Sequence, residues 1–278
     1  MTLNDPAIQS PTFIYGTAWK KDATAELVQT ALDAGFRAID TANQARHYNE
    51  PAVGEALAQS GVAREDLFLQ TKFTPVNGQD HRLPYDPDAS LTTQVEQSFA
   101  SSLEHLNTDY VDSYLLHGPY SFPGLSDSDW EVWAAISKIH ESGTARAIGI
   151  SNVNAGQLAA LIERADTPPA FVQNRCFANQ GWDRDVRDLC RRHGIAYQGF
   201  SLLTANVPVL RHPGLVDIAR RLDVGILQVV FRFAIDVGMV PLTGTSDADH
   251  MRQDLEILDS DRMRLTPEEI ALIESAGI

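Results

Sequence analysis

The sequence predicts an α/β protein: a single domain over residues 1–278, folded as a (β/α)8 TIM barrel with a parallel eight-stranded barrel and extra C-terminal helices. Short apolar runs alternate with helical segments eight times along the chain, as such a barrel requires. The runs are apolar throughout, which is typical of parallel strands that are buried on both faces. The alternative is an open doubly wound sheet, and the absence of a GxGxxG motif after the first run disfavours it.

The first half of the chain contains four predicted strand–helix pairs. Helical spacing of apolar residues stops at Gly35, and Ser90 is placed to cap a later helix. A Pro-, Gly- and Asp-rich loop, Thr74–Ala89, separates the third strand from its helix, and loops of this length are often functional. The predicted strands are Thr12–Ala18, Phe36–Asp40, Leu67–Thr71 and Tyr110–Leu116, and the helices are Ala23–Ala34, Asn49–Ser60, Ser90–Leu106 and Ser128–Ser142.

The second half repeats this alternation at tighter spacing, and the number of strands suits closure of the barrel. The predicted strands are Arg146–Ile150, Ala170–Asn174, Ile195–Ser201 and Val237–Leu242. The predicted helices are Asn154–Arg164, Asp183–Arg192, Gly214–Arg221, Gly225–Asp236, Asp247–Ile257 and Thr266–Ala276.

Composition and charge limit the partners and the compartment. A formal net charge of −15 argues against nucleic acid or an anionic membrane as a partner, but helix N-termini can still bind an anionic cofactor. The two cysteines, Cys176 and Cys190, lack CxxC spacing and indicate reduced thiols. No signal peptide or membrane-length apolar run is present. We therefore expect a cytoplasmic protein, monomeric by default.

The predicted strand ends carry the candidate chemistry, because the C-terminal ends of barrel strands converge on one site. An acid, a lysine and a histidine end three consecutive strands. In chain order the ends are Gly16–Trp19, Asp40, Lys72, His117, Ser151–Asn152, Gln173–Asn174, Phe200–Ser201 and Gly244–Ser246.

A lysine at the end of an apolar strand is costly to bury unless it is paired, and Asp40 is the natural partner of Lys72. One interpretation is a plain structural ion pair. The other is that the ammonium lowers the pKa of Tyr48, in the loop after Asp40, and makes its phenol a better proton donor. His117 would then point at the same oxygen.

Two other barrel chemistries lack their residues. A retaining glycosidase needs two carboxylates on opposing strand ends, whereas the fourth and seventh strands end in His117 and Phe200. A metal-dependent hydrolase needs clustered ligands, and the histidines form no HxH or HxxxH pair. We therefore predict no metal site.

Three motifs, in order and at suitable spacing, resemble the aldo-keto reductase family. They are IDTA with the following NExxVG (Ile39–Ala42 and Asn49–Gly54), DYVDSYLLHGP (Asp109–Pro119) and AIGISNVN (Ala147–Asn154). The resemblance runs from about Gly16 to Leu258. It implies an NAD(P)H-dependent reductase of carbonyl compounds.

The resemblance also implies a catalytic tetrad, in which Asp40, Lys72 and His117 carry over by motif. The family's tyrosine follows the aspartate by five residues, and here that place holds Ala45. The loop is about two residues longer, and Tyr48 is its only tyrosine, so Tyr48 is assigned as proton donor. His47 is the rival for that place.

For the cofactor, the resemblance implies that Ser151, Asn152 and Gln173 bind the nicotinamide carboxamide and that Phe200 stacks on the ring. The implied path of the remaining dinucleotide is lined by Gly16, Thr17, Ser201, Leu202, Gly244, Thr245, Ser246, His250 and Asp254. NADP(H) is favoured over NAD(H), although Leu242 and His250 stand where NADPH-specific members carry lysine and arginine.

The substrate is expected to be a small-molecule carbonyl or alcohol. The chain ends soon after its last predicted helix, so we expect no long C-terminal loop and an open, aromatic-edged pocket. The candidate substrate-binding residues are Trp19, His47, Tyr85, Tyr120 and Phe122. The rival function, supported by the altered tyrosine loop, is a cofactor-binding regulatory or redox-sensing protein with little catalysis.

Overall fold

Eight parallel strands form a closed barrel in the computed structural model of the protein, in the order β1 to β8, and this confirms the predicted fold class. The structure describes residues 10–258 and 263–277. Each strand pairs only with its sequence neighbours, and β8 closes on β1. The strands are β1 Ile14–Gly16, β2 Ala38–Asp40, β3 Phe68–Phe73, β4 Ser113–Leu116, β5 Ile148–Ser151, β6 Phe171–Arg175, β7 Ala196–Phe200 and β8 Met239–Thr243.

A ring of helices encloses the barrel. They are α1 Thr24–Ala34, α2 Glu50–Gln59, α3 Leu91–Leu106, α4 Asp127–Glu141, α5 Ala155–Arg164, α6 Arg184–His193, α7 Pro213–Leu222, α8 Ile226–Asp236, α9 Ala248–Glu256 and α10 Pro267–Ser275. Local sequence sets their starts: Ser126 with Asp129 and Asn154 with Gln157 form capping boxes at α4 and α5. No helix within the described ranges has the length and apolar character that a membrane span needs.

Several strands are shorter at their N-terminal ends than predicted. Phe36 was placed in the second strand, but its N–H donates to the Ala31 carbonyl and its ring packs in the core. Gly35, at φ 115°, allows this helix end because only glycine adopts that conformation without strain. The apolar run therefore includes the end of α1 as well as β2.

The barrel interior has a polar layer directly beneath its C-terminal rim. Gln70, Gln173 and Gln198, from β3, β6 and β7, are buried there and hydrogen bond to one another and to Asp40. Barrel interiors are ordinarily filled by branched apolar side chains, so this amide cluster is an exception. It forms the floor of the candidate site.

Candidate active site

Asp40 and Lys72 form a buried ion pair at the ends of β2 and β3. The Lys72 Nζ lies 2.7 Å from both carboxylate oxygens of Asp40 and 2.7 Å from the Thr41 carbonyl oxygen. Lys72 is fully buried, and Asp40 is 2% exposed. Burial lowers the pKa of Lys72, and the charge of Asp40 opposes that shift. All three ammonium hydrogens are therefore used within the protein.

Tyr48 lies over this pair, and the Lys72 Nζ is 5.3 Å from the centroid of its ring. No hydrogen bond joins the phenol oxygen to any described residue, and Tyr48 lines an open cleft with a mostly apolar wall. Burial, and then the charge of Asp40, raises the pKa of Tyr48. The predicted lowering of this pKa by Lys72 is corrected, because burial of the phenol, and after it the negative charge of Asp40, outweighs the ammonium. The phenol is consequently fully protonated at neutral pH.

His117 follows β4 and stands beside Tyr48, with ring centroids 5.9 Å apart. Its Nδ1 is 2.7 Å from the Thr74 hydroxyl oxygen. Burial, followed by the nearby charge of Lys72, lowers the pKa of His117 to about 3, so the imidazole is neutral at physiological pH. Because Nδ1 is occupied, Nε2 is the nitrogen left for a ligand.

The predicted carboxamide-binding residues meet at the ends of β5 and β6. The Ser151 hydroxyl donates to the Gln173 carbonyl, 2.6 Å away, and the Asn152 side-chain amide donates to the His117 carbonyl, 2.8 Å away. Asn152 adopts a left-handed conformation, φ 57°, which asparagine tolerates better than most residues. These contacts join the expected cofactor side of the site to the catalytic side.

A cleft of about 610 Å³ runs from these residues across the rim to β8 and α9. Most of the predicted cofactor residues line it, together with two of the predicted substrate residues. Those lining it are Gly16, Trp19, Asp40, His47, Tyr48, His117, Ser151, Asn152, Gln173, Phe200, Ser201, Leu202, Gly244, Thr245, His250 and Asp254.

The mouth of the cleft is aromatic. Trp19 is 65% exposed, and its ring lies 3.9 Å from the ring of His47 between centroids. The Trp19 N–H donates to the His47 carbonyl, so the loop after β1 is tied to the loop that carries Tyr48. His47 is thus at the entrance, while Tyr48 is deeper, beside Lys72.

Two predicted residues are near the cleft but do not line it. Thr17 is fully buried and donates its hydroxyl to the Asp40 carbonyl, so it supports the end of β2. Ser246 is exposed, one residue beyond the lining residue Thr245. Their assignment to direct cofactor contact stays a prediction.

Three predicted substrate residues also lie outside the cleft. Tyr85 is buried, stacks on Phe73 and donates its hydroxyl to the Thr74 carbonyl. Tyr120 packs against the core, where its backbone N–H donates to Asp129. Phe122 is 79% exposed on a separate loop. In the structure none of these aromatic rings forms a wall of the pocket, because the first two fill gaps beneath their loops.

The adenosine end suggested by the sequence is formed by β8 and α9. Asp254 is buried, and burial raises its pKa to about 7, whereas His250 is exposed. Leu242 also lines this end of the cleft. At the position where NADPH-specific members of the family carry a lysine, the wall of the cleft is therefore formed by the uncharged Leu242.

Sequence reasoning missed two cations that line the cleft. Lys20 donates its ammonium to the Gly244 carbonyl, and the Arg175 guanidinium lies 5.5 Å from the centroid of the Phe200 ring. No ion pair of the described residues includes either side chain. In a chain of net charge −15 they give the cleft a locally positive wall. Their positions in the sequence could have revealed them: Lys20 directly follows Trp19, and Arg175 comes two positions after Gln173.

The family model described as Aldo/keto reductase family matches residues 12–207 of this chain. That is more than half of its length. The chain belongs to the aldo/keto reductase family. It is accordingly an NAD(P)H-dependent oxidoreductase. Across the described residues no group of three potential ligands could hold a metal ion.

Curated relatives agree with this family. An aldo-keto reductase of Mycolicibacterium vanbaalenii is 32% identical over 267 residues, which is 95% of this chain and 87% of that protein. Glyoxal reductase of Bacillus subtilis is 31% identical over 234 residues, 84% of this chain and 77% of that protein.

Solved structures share the fold. The crystal structure of an aldo/keto reductase from Brucella melitensis superposes with a TM-score of 0.83 at 29% identity, covering 99% of this chain and 98% of that one. Bombyx mori aldo-keto reductase AKR2E4, in complex with NADP, gives a TM-score of 0.80 at 26% identity over 99% of this chain and 92% of that one.

Proposed function

We propose that this protein reduces aldehyde or ketone carbonyls to alcohols, with Tyr48 as proton donor and Asp40, Lys72 and His117 assisting it. One observation carries the proposal: a protonated phenol and a neutral imidazole stand together over a fully satisfied Asp40–Lys72 pair at the floor of an open cleft. We also propose that residues 1–278 act as one domain, as a cytoplasmic monomer.

The cleft fits a nicotinamide dinucleotide. Its size suits a cofactor site, about 300–1,000 Å³, and Lys20 and Arg175, which form no ion pair within the described residues, suit a pyrophosphate. Gln173 presents an unpartnered side-chain carbonyl oxygen, which can accept from a carboxamide. When bound, the reduced cofactor supplies a hydride. We propose NADP(H) rather than NAD(H), supported by the Bombyx mori relative's complex with NADP.

Tyr48 is suited to give a proton to the carbonyl oxygen as negative charge develops there. Its raised pKa keeps the phenol protonated across neutral pH but makes it a weaker acid, so the transfer needs a group that stabilises the phenolate. The buried ammonium of Lys72, 5.3 Å from the ring centroid, favours the phenolate that is left after the transfer. Asp40 keeps that ammonium in place but weakens its field at the phenol.

His117 orients the carbonyl oxygen. A neutral imidazole donates from Nε2 only in the tautomer that leaves Nδ1 without a hydrogen, and a bond donated by the Thr74 hydroxyl to Nδ1 favours that tautomer. With this tautomer, Nε2–H and the Tyr48 phenol converge on one oxygen. Thr74 is therefore a positioning residue for His117.

The substrate class proposed is small carbonyl compounds, including dicarbonyls, which a Bacillus subtilis relative named glyoxal reductase supports. The entrance is wide and aromatic, with Trp19 exposed and stacked on His47. Such a mouth provides apolar contact without closing over the ligand.

The test is a fluorescence titration with NADPH and with NADH, followed by turnover with methylglyoxal, phenylglyoxal and benzaldehyde. Tight binding with alcohol formation supports the reductase, and the ratio of the two dissociation constants gives the cofactor preference. Binding without turnover of any carbonyl would favour the regulatory alternative. Binding of neither nucleotide would overturn the proposal.

A further inference from the structure

The amide cluster beneath the site links the barrel core to a ligand-facing side chain. Gln70 and Gln198 are fully buried, and Gln173 is 3% exposed. They come from β3, β6 and β7, so the cluster crosses the barrel interior. Three amides in a barrel interior are costly unless each group is paired, which indicates that their arrangement is specific.

Gln198 holds the other two amides by its side-chain oxygen. This oxygen accepts from Gln70 Nε2 at 2.8 Å and from Gln173 Nε2 at 2.9 Å. In return, Gln198 Nε2 donates to Gln70 Oε1 at 3.0 Å. The second hydrogens of Gln70 Nε2 and Gln173 Nε2 go to Asp40 Oδ1, at 2.7 and 3.0 Å.

These bonds fix which end of the Gln173 amide faces the cleft. Both hydrogens of its Nε2 are used, on Asp40 and on Gln198, so the only free polar atom is Oε1. A flipped amide would place Oε1 against the Asp40 carboxylate and the Gln198 carbonyl, which are both acceptors. Gln173 lines the cleft, so it offers the ligand an acceptor and no donor.

We propose that Gln70 and Gln198 are positioning residues that lock Gln173 with its carbonyl oxygen toward the cofactor, and that this lock makes the site select a carboxamide ring over its carboxylate analogue. The inference rests on the proposed function. A carboxamide has an N–H to donate to Oε1. A carboxylate has none and would place a negative charge against that oxygen, with Asp40 close behind it.

The experiment measures dissociation constants by calorimetry for NADP⁺ and NAD⁺, each beside its nicotinic acid analogue. The wild-type protein should prefer the amide over the acid by at least about tenfold, because the acid leaves a buried acceptor unpaired. Gln198→Met removes one of the two acceptors that hold the Gln173 Nε2, leaving only Asp40, and should reduce this preference to about threefold or less.

Gln70→Met should have a smaller effect on the same ratio, because Gln173 then keeps its bonds to Gln198 and Asp40. Gln94→Met is the matched control. Gln94 is also a buried amide, but it donates to the Pro87 and Ala89 carbonyls outside the cluster, so its variant should keep the wild-type ratio. Binding of 2′-phospho-ADP-ribose, which has no nicotinamide, should be equal in every variant.

An unchanged amide-to-acid ratio in Gln198→Met would overturn the inference while leaving the proposed function standing, as would a wild-type protein that binds amide and acid equally. If Gln198→Met does not fold, the graded loss in Gln70→Met decides the question, and no loss there counts against the lock. A wild-type protein that binds none of the four dinucleotides would overturn the proposed function, and the inference with it.

Discussion

The two sides of the barrel rim differ in how their polar groups are satisfied. On the β2–β4 side, the Lys72 ammonium donates its three hydrogens to Asp40 and Thr41, and His117 Nδ1 is hydrogen bonded to the Thr74 hydroxyl. On the β6–β8 side, Arg175 pairs with no carboxylate of the described residues, and the Gln173 side-chain carbonyl oxygen lines an open cleft. Lys20, after β1, lines the same cleft and donates to the Gly244 carbonyl in the loop that follows β8.

The difference indicates that the β2–β4 side holds preorganised groups for the reaction and that the β6–β8 side holds groups that bind the ligand. On the β2–β4 side, the Lys72 ammonium and His117 Nδ1 are paired without a ligand, as expected of groups that must act in a fixed geometry. The β6–β8 side has unmet acceptors and cations, which a carboxamide and a pyrophosphate can satisfy. Variants on the first side should therefore change rate and stability, and variants on the second side should change binding.

The largest effect is expected for Lys72→Met, which leaves the Asp40 carboxylate buried and unpaired. The free energy of unfolding should fall by about 3–5 kcal/mol, and turnover should be lost. Urea denaturation at pH 7 measures the first quantity. Lys138→Met, the same change on the exposed face of α4, should alter stability by less than about 0.5 kcal/mol. A stable, active Lys72→Met would show that the pair is dispensable.

Thr74→Val should lower kcat/KM for carbonyl reduction about ten- to hundredfold, because His117 loses the donor that fixes its Nε2–H tautomer. Thr74→Ser retains the hydroxyl and should keep most of the rate. Steady-state kinetics on both variants, with nitrogen NMR of the imidazole, distinguishes the tautomer effect from simple repacking. An equal loss of kcat/KM in Thr74→Val and Thr74→Ser would contradict the tautomer effect.

Arg175→Gln should weaken dinucleotide binding about fivefold at low ionic strength while kcat stays within about twofold. The guanidinium is exposed and lies on the cleft wall, so its attraction to phosphate is screened by salt. A titration in 20 mM and 500 mM salt should show a smaller salt dependence in the variant. Arg211→Gln, an exposed arginine outside the cleft lining, should behave as wild type.

The last expected effect concerns the pH dependence of stability, and it is small within about one pH unit of neutrality. His117 is neutral in the folded protein down to about pH 3, whereas the unfolded chain takes up its proton below about pH 6.5. Above about pH 6.5 neither state binds the proton on this side chain. Below that pH only the unfolded state binds it, so protonation stabilises the unfolded state relative to the folded one. Unfolding free energy should thus fall by up to about 1 kcal/mol per pH unit more in wild type than in His117→Gln. Parallel slopes would contradict a neutral His117.

Most of the fold was predictable because apolar runs and helical spacing alternate in the sequence, and eight strands close in sequence order. The meeting of the candidate catalytic residues at one rim was also predictable, since strand ends converge whatever their spacing along the chain. The strand boundaries were less predictable. Phe36 belongs to an apolar run in the sequence, but its backbone N–H bonds to the Ala31 carbonyl at the end of α1.

The amide cluster had a sequence signal that was not used. Side chains two residues apart on a strand point to the same face, so Gln70 lies below Lys72, and Gln198 lies below Phe200. A polar residue two positions before a rim residue inside an apolar strand indicates a second polar layer. By contrast, nothing in the sequence of the Thr74–Ala89 loop distinguishes Tyr85, which fills the core, from a ring that faces a substrate.

The most direct test of the central claim is the rate of NADPH consumption with phenylglyoxal in Tyr48→Phe, beside its dinucleotide affinity. Removing the phenol oxygen should lower kcat about 10²–10⁴-fold and leave the dissociation constant unchanged, because the proton is given only in the transition state. Tyr110→Phe, between Arg64 and Arg146 and remote from the cleft, should retain the wild-type rate. A Tyr48→Phe enzyme within about twofold of wild type would contradict the assignment of Tyr48 as proton donor.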